Sequence, residues 1–239
     1  MLRVFCDFDG TVASNDVGNL LFRTFAGDRA VAIVKQYLDG FMNARDCLSQ
    51  ECAALGSFNR KDLESFVDGF RVDPAFVPFV GFCEANEIPV VILSDGLDFY
   101  VSRLLNKAGL GRIPFFANHA VFSRGDDGKE SLAPEFPYRD EHCDQCGNCK
   151  RNHVGIMSAD EDIVAYVGDG ISDRCPVRYA DIVFAKKDLI KYCQQQNISY
   201  FEYENFSDVH RKLAALVKNR TVKPRREAVM ARRDLFIAE

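Results

Sequence analysis

Short, almost uninterrupted apolar runs recur along this chain, and longer amphipathic segments separate them. Strands that are apolar throughout are typical of a parallel sheet buried on both faces, with helices as the cover. The sequence therefore predicts an α/β fold with a doubly wound, Rossmann-like parallel sheet. The predicted strands are 2–6, 89–94, 113–117, 163–168 and 181–185, and the helices between them are 97–108, 153–158, 173–179 and 187–195.

A long helical segment follows the first predicted strand. About eighty residues separate this strand from the next one, far more than a strand-to-strand crossover needs. Helical periodicity recurs there at 17–25, 30–38 and 63–70. We therefore expect a helical cap at 13–82, inserted into a core made of residues 1–12 and 83–220.

Two further segments stand outside the strand and helix pattern. Residues 118–150 begin with a hairpin candidate at 123–128 and continue with prolines and closely spaced cysteines, which predicts a loop-rich insertion. The tail, 221–239, carries five basic and three acidic residues. Charge-rich tails are usually solvated, so we expect a solvated or loosely docked helix there.

Composition excludes several classes of protein. Hydrophobic residues make up 47% and charged residues 27% of the chain, as in ordinary globular proteins, and the net charge of −5 argues against a nucleic-acid partner. Apolar stretches fall far short of the roughly 20 residues that a membrane span requires. Met1 leads directly into the first apolar run without the pattern of a signal peptide, so we expect a cytoplasmic protein without a membrane partner.

The segment from Asp7 to Thr11 directly follows the first apolar run. Asp7 and Asp9 are two residues apart, so both face the crevice at the carboxyl end of the strand, where ligands of open α/β sheets bind. Crowded carboxylates repel each other, and a bound cation relieves the repulsion. Because hard Mg²⁺ prefers oxygen ligands, the pair predicts a magnesium site.

Similar acidic or polar turns follow two other predicted strands. Asp169 follows the run that ends at 168 and can complete the metal site, while Asp173 can be either a metal-site residue or a helix N-cap. The small polar residues Ser94, Asp95 and Gly96 precede a helix and predict a phosphate-binding turn. Lys150 is either a surface lysine or a cation facing that phosphate.

In this order, these motifs resemble the haloacid dehalogenase superfamily of phosphatases, and the cap position resembles its phosphoserine phosphatase branch. The resemblance implies that Asp7 attacks phosphorus to form an aspartyl-phosphate and that Asp9 acts as general acid and base. It further implies that Ser94 and Lys150 hold the phosphoryl group and that Mg²⁺ binds Asp7, the Asp9 carbonyl and Asp169. Asp173 would then assist the metal or orient Lys150.

Several shorter segments resemble the methionine-salvage 2-hydroxy-3-keto-5-methylthiopentenyl-1-phosphate phosphatases: 6–11, 15–16, 98–101, 118–120 and 146–150. That family tends to have Ser-Gly-Gly where this chain has Ser94, Asp95 and Gly96, which leaves other small phosphate esters open. These are phosphoethanolamine, phosphocholine, pyridoxal phosphate and, less well matched, phosphoserine. Asn15, Asp16 and Phe22 are the candidate substrate contacts in the cap.

The segment from His142 to Cys149 offers four soft ligands, which is the number that a tetrahedral zinc site requires. These are His142, Cys143, Cys146 and Cys149. The alternatives are reduced thiols that order the loop before Lys150, or one labile disulfide. A zinc or redox module that depends on this cluster is the contrasting functional hypothesis.

Overall fold

One sheet of seven strands organises residues 1–141 and 143–237, which a computed structural model describes. Its strand order is β4-β3-β2-β1-β5-β6-β7, and all neighbours are parallel except β3 and β4. The predicted doubly wound α/β fold is therefore confirmed. The strands are β1 (Leu2–Asp7), β2 (Val90–Leu97), β3 (Phe115–Arg124), β4 (Glu130–Glu135), β5 (Ile163–Gly168), β6 (Ile182–Ala185) and β7 (Phe201–Glu202).

Five helices lie between β1 and β2, and they include the three segments predicted to be helical there. They are α1 (Val17–Ala26), α2 (Asp28–Leu38), α3 (Ala44–Leu55), α4 (Arg60–Asp68) and α5 (Phe76–Ala85). The later helices are α6 (Asp98–Lys107), α7 (Lys150–Ile156), α8 (Asp188–Gln195), α9 (Phe206–Lys218) and α10 (Arg226–Ile237). The limits of the core, cap and insertion given above stay predictions.

Two local predictions differ from the structure. The helix predicted at 173–179 is instead a pair of short 3₁₀ turns, Ile171–Asp173 and Pro176–Tyr179. Cys175 keeps helical backbone angles (φ −73°, ψ −57°), but Pro176 lacks a backbone N–H and cannot continue the hydrogen-bond ladder from one turn into the next. The strand predicted at 113–117 continues as β3 to Arg124 and pairs with β4, so the predicted hairpin joins two regular strands.

Alternate residues of β1 pack into two apolar layers, one on each face of the sheet. Val4 and Cys6 contribute to the layer that contains Phe76. Phe5 contributes to the other layer, beside Tyr166. Each fully buried apolar side chain of this size contributes roughly 2 kcal/mol to folding, so burial on both faces fixes β1 at the centre of the sheet.

The register of the central strands places three polar strand ends side by side. Asp7 of β1 lies opposite Leu93 of β2, and Cys6 lies opposite Val167 of β5. The residues that follow these positions therefore meet at the carboxyl edge of the sheet. Among the described helices, none combines the length and the apolar character that a membrane crossing needs.

The C-terminal helix α10 is docked on the core, contrary to the expectation of a solvated or loosely docked tail. Arg232 is 2% exposed and donates hydrogen bonds to the carbonyl oxygens of Tyr179 and Asp162. Its guanidinium also pairs with Asp181 at 3.1 Å. Charge alone misled the prediction, because one arginine of the basic run faces inward and satisfies buried acceptors.

We predict that Arg232→Met lowers the free energy of unfolding by about 3 kcal/mol, because the Asp181 carboxylate loses its buried partner. Arg233, which pairs with Asp160 at 3.1 Å in an exposed position, provides the matched control. Arg233→Met should cost less than about 1 kcal/mol. Urea unfolding monitored by circular dichroism measures both values, and equal losses would contradict the docking role of Arg232.

Candidate active site

A buried lysine joins Asp7 at the end of β1 to Ser172 and Asp173 in the turn after β5. Lys150 is 2% exposed, and its Nζ lies 2.5 Å from Asp7 Oδ1, 2.8 Å from Asp173 Oδ1 and 2.9 Å from Ser172 Oγ. Burial lowers the pKa of the lysine, but the charges of Asp173 and Asp7 more than compensate and raise that pKa above its ordinary value. The structure therefore places an ammonium group against Asp7, and the alternative of a surface lysine is excluded.

The Asp9 carboxylate is held by the start of α1 and by Tyr100 of α6. Its Oδ1 accepts hydrogen bonds from the backbone N–H groups of Val17 (2.9 Å) and Gly18 (3.2 Å), and its Oδ2 accepts one from the Tyr100 hydroxyl (2.9 Å). Burial and then the charge of Asp16 raise the pKa of Asp9 to about 7, against the opposing effect of these donors. Such a carboxyl group can release or accept a proton near neutral pH.

Three carboxylates converge, and that of Asp7 is one of them. Ligand atoms of Asp7, Asp169 and Asp173 lie within 4.8 Å of one another, and all three residues are buried. Burial and then Asp173 raise the pKa of Asp7, while Lys150 acts in the opposite direction. An all-oxygen set whose members repel one another fits a hard divalent cation such as Mg²⁺.

Gly10 allows the segment from Asp7 to Thr11 to approach Asp169 closely. Its φ of 73° is in the left-handed region, and a Cβ there would lie 2.5 Å from Asp169 Oδ2. The same carboxylate oxygen accepts a hydrogen bond from Lys187 Nζ at 2.7 Å. Asp169 thus keeps its other oxygen for a cation.

Asp173 has all its acceptor positions occupied. Its Oδ1 accepts from Lys150 and from the Tyr166 hydroxyl (2.7 Å), and its Oδ2 accepts from the backbone N–H groups of Asp169 (2.9 Å) and Gly170 (3.1 Å). The side chain therefore caps the turn and holds the lysine at once. Its contacts favour a role in positioning Lys150 over direct metal ligation.

Ser94 lies within the bent end of β2, three residues before the last residue of the strand. It is 1% exposed, its Oγ accepts a hydrogen bond from the Gly96 N–H at 3.0 Å, and the same hydroxyl lies 3.4 Å from Asp9 Oδ2. The register of β2 against β3 is irregular between Leu93 and Leu97, and α6 begins only at Asp98. The residues predicted to form a phosphate-binding turn before a helix, Ser94 to Gly96, therefore lie in an irregular part of β2.

Asp95 turns toward the cysteine-containing loop. Its Oδ1 accepts hydrogen bonds from the backbone N–H groups of Asn148 (2.9 Å) and Gly147 (3.1 Å), and Asn118 Nδ2 lies 3.5 Å away. A carboxylate beside an anionic substrate is unfavourable, and these donors offset part of its negative charge. The side chain ties the end of β2 to the loop that leads into Lys150.

Asn148 continues this connection. It is fully buried, and its Nδ2 donates to the carbonyl oxygens of Ser94 (2.8 Å) and Phe116 (2.9 Å). Its Oδ1 lies 2.7 Å from His153 Nε2, so this ring nitrogen carries the proton. Burial lowers the pKa of His153 to about 4, which keeps the imidazole neutral.

A cavity of about 410 Å³ lies between the strand ends, where Asp7, Asp9 and Asp169 line it, and the helices that follow β1. Two of the three predicted substrate contacts, Asp16 and Phe22, line it. Asn15 is exposed and not part of the lining, so that prediction is not supported by position. The lining residues that were not predicted as site residues include Asn19, Tyr37, Glu51 and Tyr100.

Glu51 of α3 is the most unusual of these residues. It is 8% exposed, and its Oε2 accepts a hydrogen bond from Cys47 Sγ at 3.8 Å. Burial and then the charge of Asp16 raise the pKa of Glu51 to about 8. Glu51 is the one charged residue among the buried residues of α3, which include Cys47, Leu48 and Cys52. A charged residue on an apolar helix face is a sequence signal for a site residue.

Cys175, which is distant in sequence, lies near the cysteine cluster and acts on the pKa of Cys146. Burial is the main cause that raises the pKa of Cys146 to about 12, and Asp95, Cys149, Cys175 and Cys143 add to it. His142 lies outside the described residues. Among those described, Asp7, Asp169 and Asp173 are the one group of three or more ligands that meets within 4.8 Å, so the zinc prediction receives no support.

Comparisons with known proteins agree with this geometry. A family model described as "Putative Phosphatase" matches residues 2–215. A 2-hydroxy-3-keto-5-methylthiopentenyl-1-phosphate phosphatase from Bacillus cytotoxicus is 30% identical over 223 residues, covering 91% of this chain and 98% of the relative. The enzyme of that name from Exiguobacterium sibiricum is 31% identical (87% and 94% covered), and the Pdp3-interacting factor 1 of Schizosaccharomyces pombe is 31% identical (90% and 96% covered).

Solved structures share the fold. A phosphoserine phosphatase with a phospho-aspartyl intermediate analogue aligns with a TM-score of 0.63 at 18% identity, covering 91% of this chain and 97% of that one. A substrate-bound phosphoserine phosphatase aligns with a TM-score of 0.64 at 18% identity, covering 88% and 97%. The predicted resemblance in fold and family is therefore confirmed.

We predict that His153 makes the protein less stable in acid. The imidazole is neutral in the folded state down to about pH 4 but is protonated below about 6.5 in the unfolded chain, so the unfolded state binds the extra proton. The free energy of unfolding should fall by about 3 kcal/mol as the pH drops through this window. His153→Gln should remove this component, whereas His119→Gln should retain it, as measured by urea unfolding between pH 4 and 7.

Proposed function

The chain belongs to the "Putative Phosphatase" family and is a phosphoric monoester hydrolase, and we propose that it works through an aspartyl-phosphate on Asp7 with Mg²⁺ bound. The observation that carries this proposal is the Lys150 ammonium 2.5 Å from Asp7, at a strand end that also bears Asp9. A carboxylate fixed by a cation is a suitable nucleophile for a phosphoryl group, whose charge the same cation offsets.

The proposed reaction has two displacements at phosphorus. In the first, an Asp7 oxygen bonds to phosphorus while the ester P–O bond breaks, and Asp9 gives its proton to the departing oxygen. In the second, water bonds to phosphorus, its proton passes to Asp9, and the bond between Asp7 and phosphorus breaks. The pKa of Asp9 near 7 suits both the acid and the base role.

Binding of the phosphoryl group falls to residues around Asp7. Lys150 and the Ser94 hydroxyl would hold its oxygens, with the Gly96 N–H as a neighbouring donor. Asp7 and Asp169 would hold Mg²⁺ together with the Asp9 carbonyl, and Mg²⁺ supplies positive charge that offsets the charge of the phosphoryl oxygens. Asp95 would act on phosphate binding through the loop it braces.

The proposed substrate is the enol phosphate named by several relatives, 2-hydroxy-3-keto-5-methylthiopentenyl-1-phosphate. The cavity has room and apolar lining for a short thioether tail, since Phe22, Val34 and Leu48 face it. A protonated Glu51 could donate a hydrogen bond to the carbonyl or hydroxyl oxygens of such a substrate.

Glu51 and Asp16 also favour a second candidate substrate. Both residues line the cavity, and among the described residues no Lys or Arg donates a hydrogen bond to, or forms an ion pair with, either carboxyl group. An ionised Glu51 would attract a cationic tail, as in phosphoethanolamine or phosphocholine. Pyridoxal phosphate and phosphoserine offer weaker matches and serve as comparison substrates.

We predict that Asp7→Asn lowers kcat for phosphate release at least about 10³-fold on every accepted ester, because an amide is a poor nucleophile. Phosphate release from the esters named above, with Mg²⁺ and after chelation by EDTA, measures this. Asp160→Asn, which changes an exposed carboxylate, should keep the wild-type rate. Full activity in folded Asp7→Asn would rule out the aspartyl-phosphate.

A pH experiment distinguishes the two candidate substrates, because burial raises the pKa of Glu51 to about 8. Phosphocholine carries a fixed positive charge, so its kcat/KM relative to the enol phosphate should rise about tenfold from pH 7 to 9 as Glu51 ionises. Glu51→Gln should abolish this rise. A flat ratio with higher activity on the enol phosphate would support the first substrate and exclude the second.

A further inference from the structure

A buried tyrosine touches the proposed general acid. Tyr100, in the first turn of α6, is 2% exposed, and its hydroxyl donates a hydrogen bond to Asp9 Oδ2 at 2.9 Å. It also lines the cavity, so the contact lies where a substrate would bind. None of the steps proposed above uses this hydroxyl.

The contacts of Asp9 leave one place for a transferable proton. Oδ1 already accepts from the N–H groups of Val17 and Gly18, which fills its two in-plane positions. Oδ2 accepts from Tyr100, and the Ser94 hydroxyl is farther away at 3.4 Å. A protonated Asp9 would therefore carry its proton on the remaining side of Oδ2.

Two glycines make room for the Tyr100 hydroxyl. A Cβ at Gly96 would lie 1.6 Å from this oxygen, and a Cβ at Gly18 would lie 2.9 Å from it. Because the aromatic ring is rigid, a side chain at either position would displace the hydroxyl rather than bend around it. The main chain on both sides of the cavity thus accommodates the phenol.

The ring itself has a separate packing role. Its centroid lies 6.1 Å from that of Phe8, the residue between Asp7 and Asp9. Phenylalanine would preserve this packing and remove the hydrogen bond alone. The functions of the ring and of the hydroxyl can therefore be separated by one substitution.

Building on the proposed function, we propose that Tyr100 is a positioning residue that orients the Asp9 carboxyl group toward the leaving oxygen of the substrate. The phenol keeps its own proton throughout. In the first displacement the Asp9 proton moves from Oδ2 to the leaving oxygen as the ester bond breaks, and in the second the same position receives a proton from water.

The test uses two aryl esters that differ in their need for an acid. Phenolate is a basic leaving group that benefits from protonation, whereas p-nitrophenolate leaves readily without it. For Tyr100→Phe we expect kcat/KM to fall about tenfold with phenyl phosphate and to stay within about twofold with p-nitrophenyl phosphate. A structural defect would lower both values alike.

Three further variants serve as comparisons and controls for Tyr100→Phe. Asp9→Asn should show the same dependence on the leaving group with a larger loss, about 10²-fold or more on phenyl phosphate. Tyr203→Phe removes another buried hydroxyl, which contacts Thr11 and the Gly168 carbonyl, and should change neither ester. Gly18→Ala displaces the Tyr100 hydroxyl without removing it and should reproduce the selective loss if Tyr100→Phe is unstable.

The outcomes separate the two proposals. An equal loss on both esters, or no loss, in Tyr100→Phe would overturn the positioning role while Asp9→Asn still depends on the leaving group. If Asp9→Asn shows no such dependence, the assignment of Asp9 as the acid fails instead. A selective loss in both variants would support both.

Discussion

The ammonium of Lys150 between Asp7 and Asp173 is the interaction on which the architecture of the site depends. Burying several carboxylates together costs several kcal/mol for each uncompensated charge, and one lysine within 2.8 Å of two of them offsets part of that cost. The contact joins β1, α7 and the turn after β5, so loss of the lysine would affect three elements at once. The negative charge that remains is what a divalent cation would neutralise.

The sequence predicted the groups at strand ends well because their placement follows from local rules. Asp7, Asp9 and Asp169 each come one to three residues after an apolar run, and parallel strands bring such ends together. Glu51 and Tyr100 escaped prediction because their positions depend on how helices pack across the cavity. Pro176 is a local signal in the sequence, but the helical pattern around it predicts a continuous helix at 173–179 that the structure does not contain.

Asp95 illustrates how one substitution within a motif can be balanced elsewhere. Asp95 lines the cavity, where its carboxylate would repel a phosphate, and the N–H groups of Gly147 and Asn148 offset part of its negative charge. Asn148 in turn holds Ser94 through its carbonyl oxygen. The end of β2 and the loop before α7 are therefore connected by hydrogen bonds before any ligand binds, and Lys150 follows Asn148 by two residues.

The central position of β1 has a consequence for how the chain is made. β1 is apolar on both faces, and its two sheet partners, β2 and β5, begin only at Val90 and Ile163. During synthesis β1 must wait for distant segments, and pairing across such separations is slow. Until both partners have been made, the apolar faces of β1 lack their sheet neighbours, and the active site is completed only after the turn that follows β5 has been synthesised.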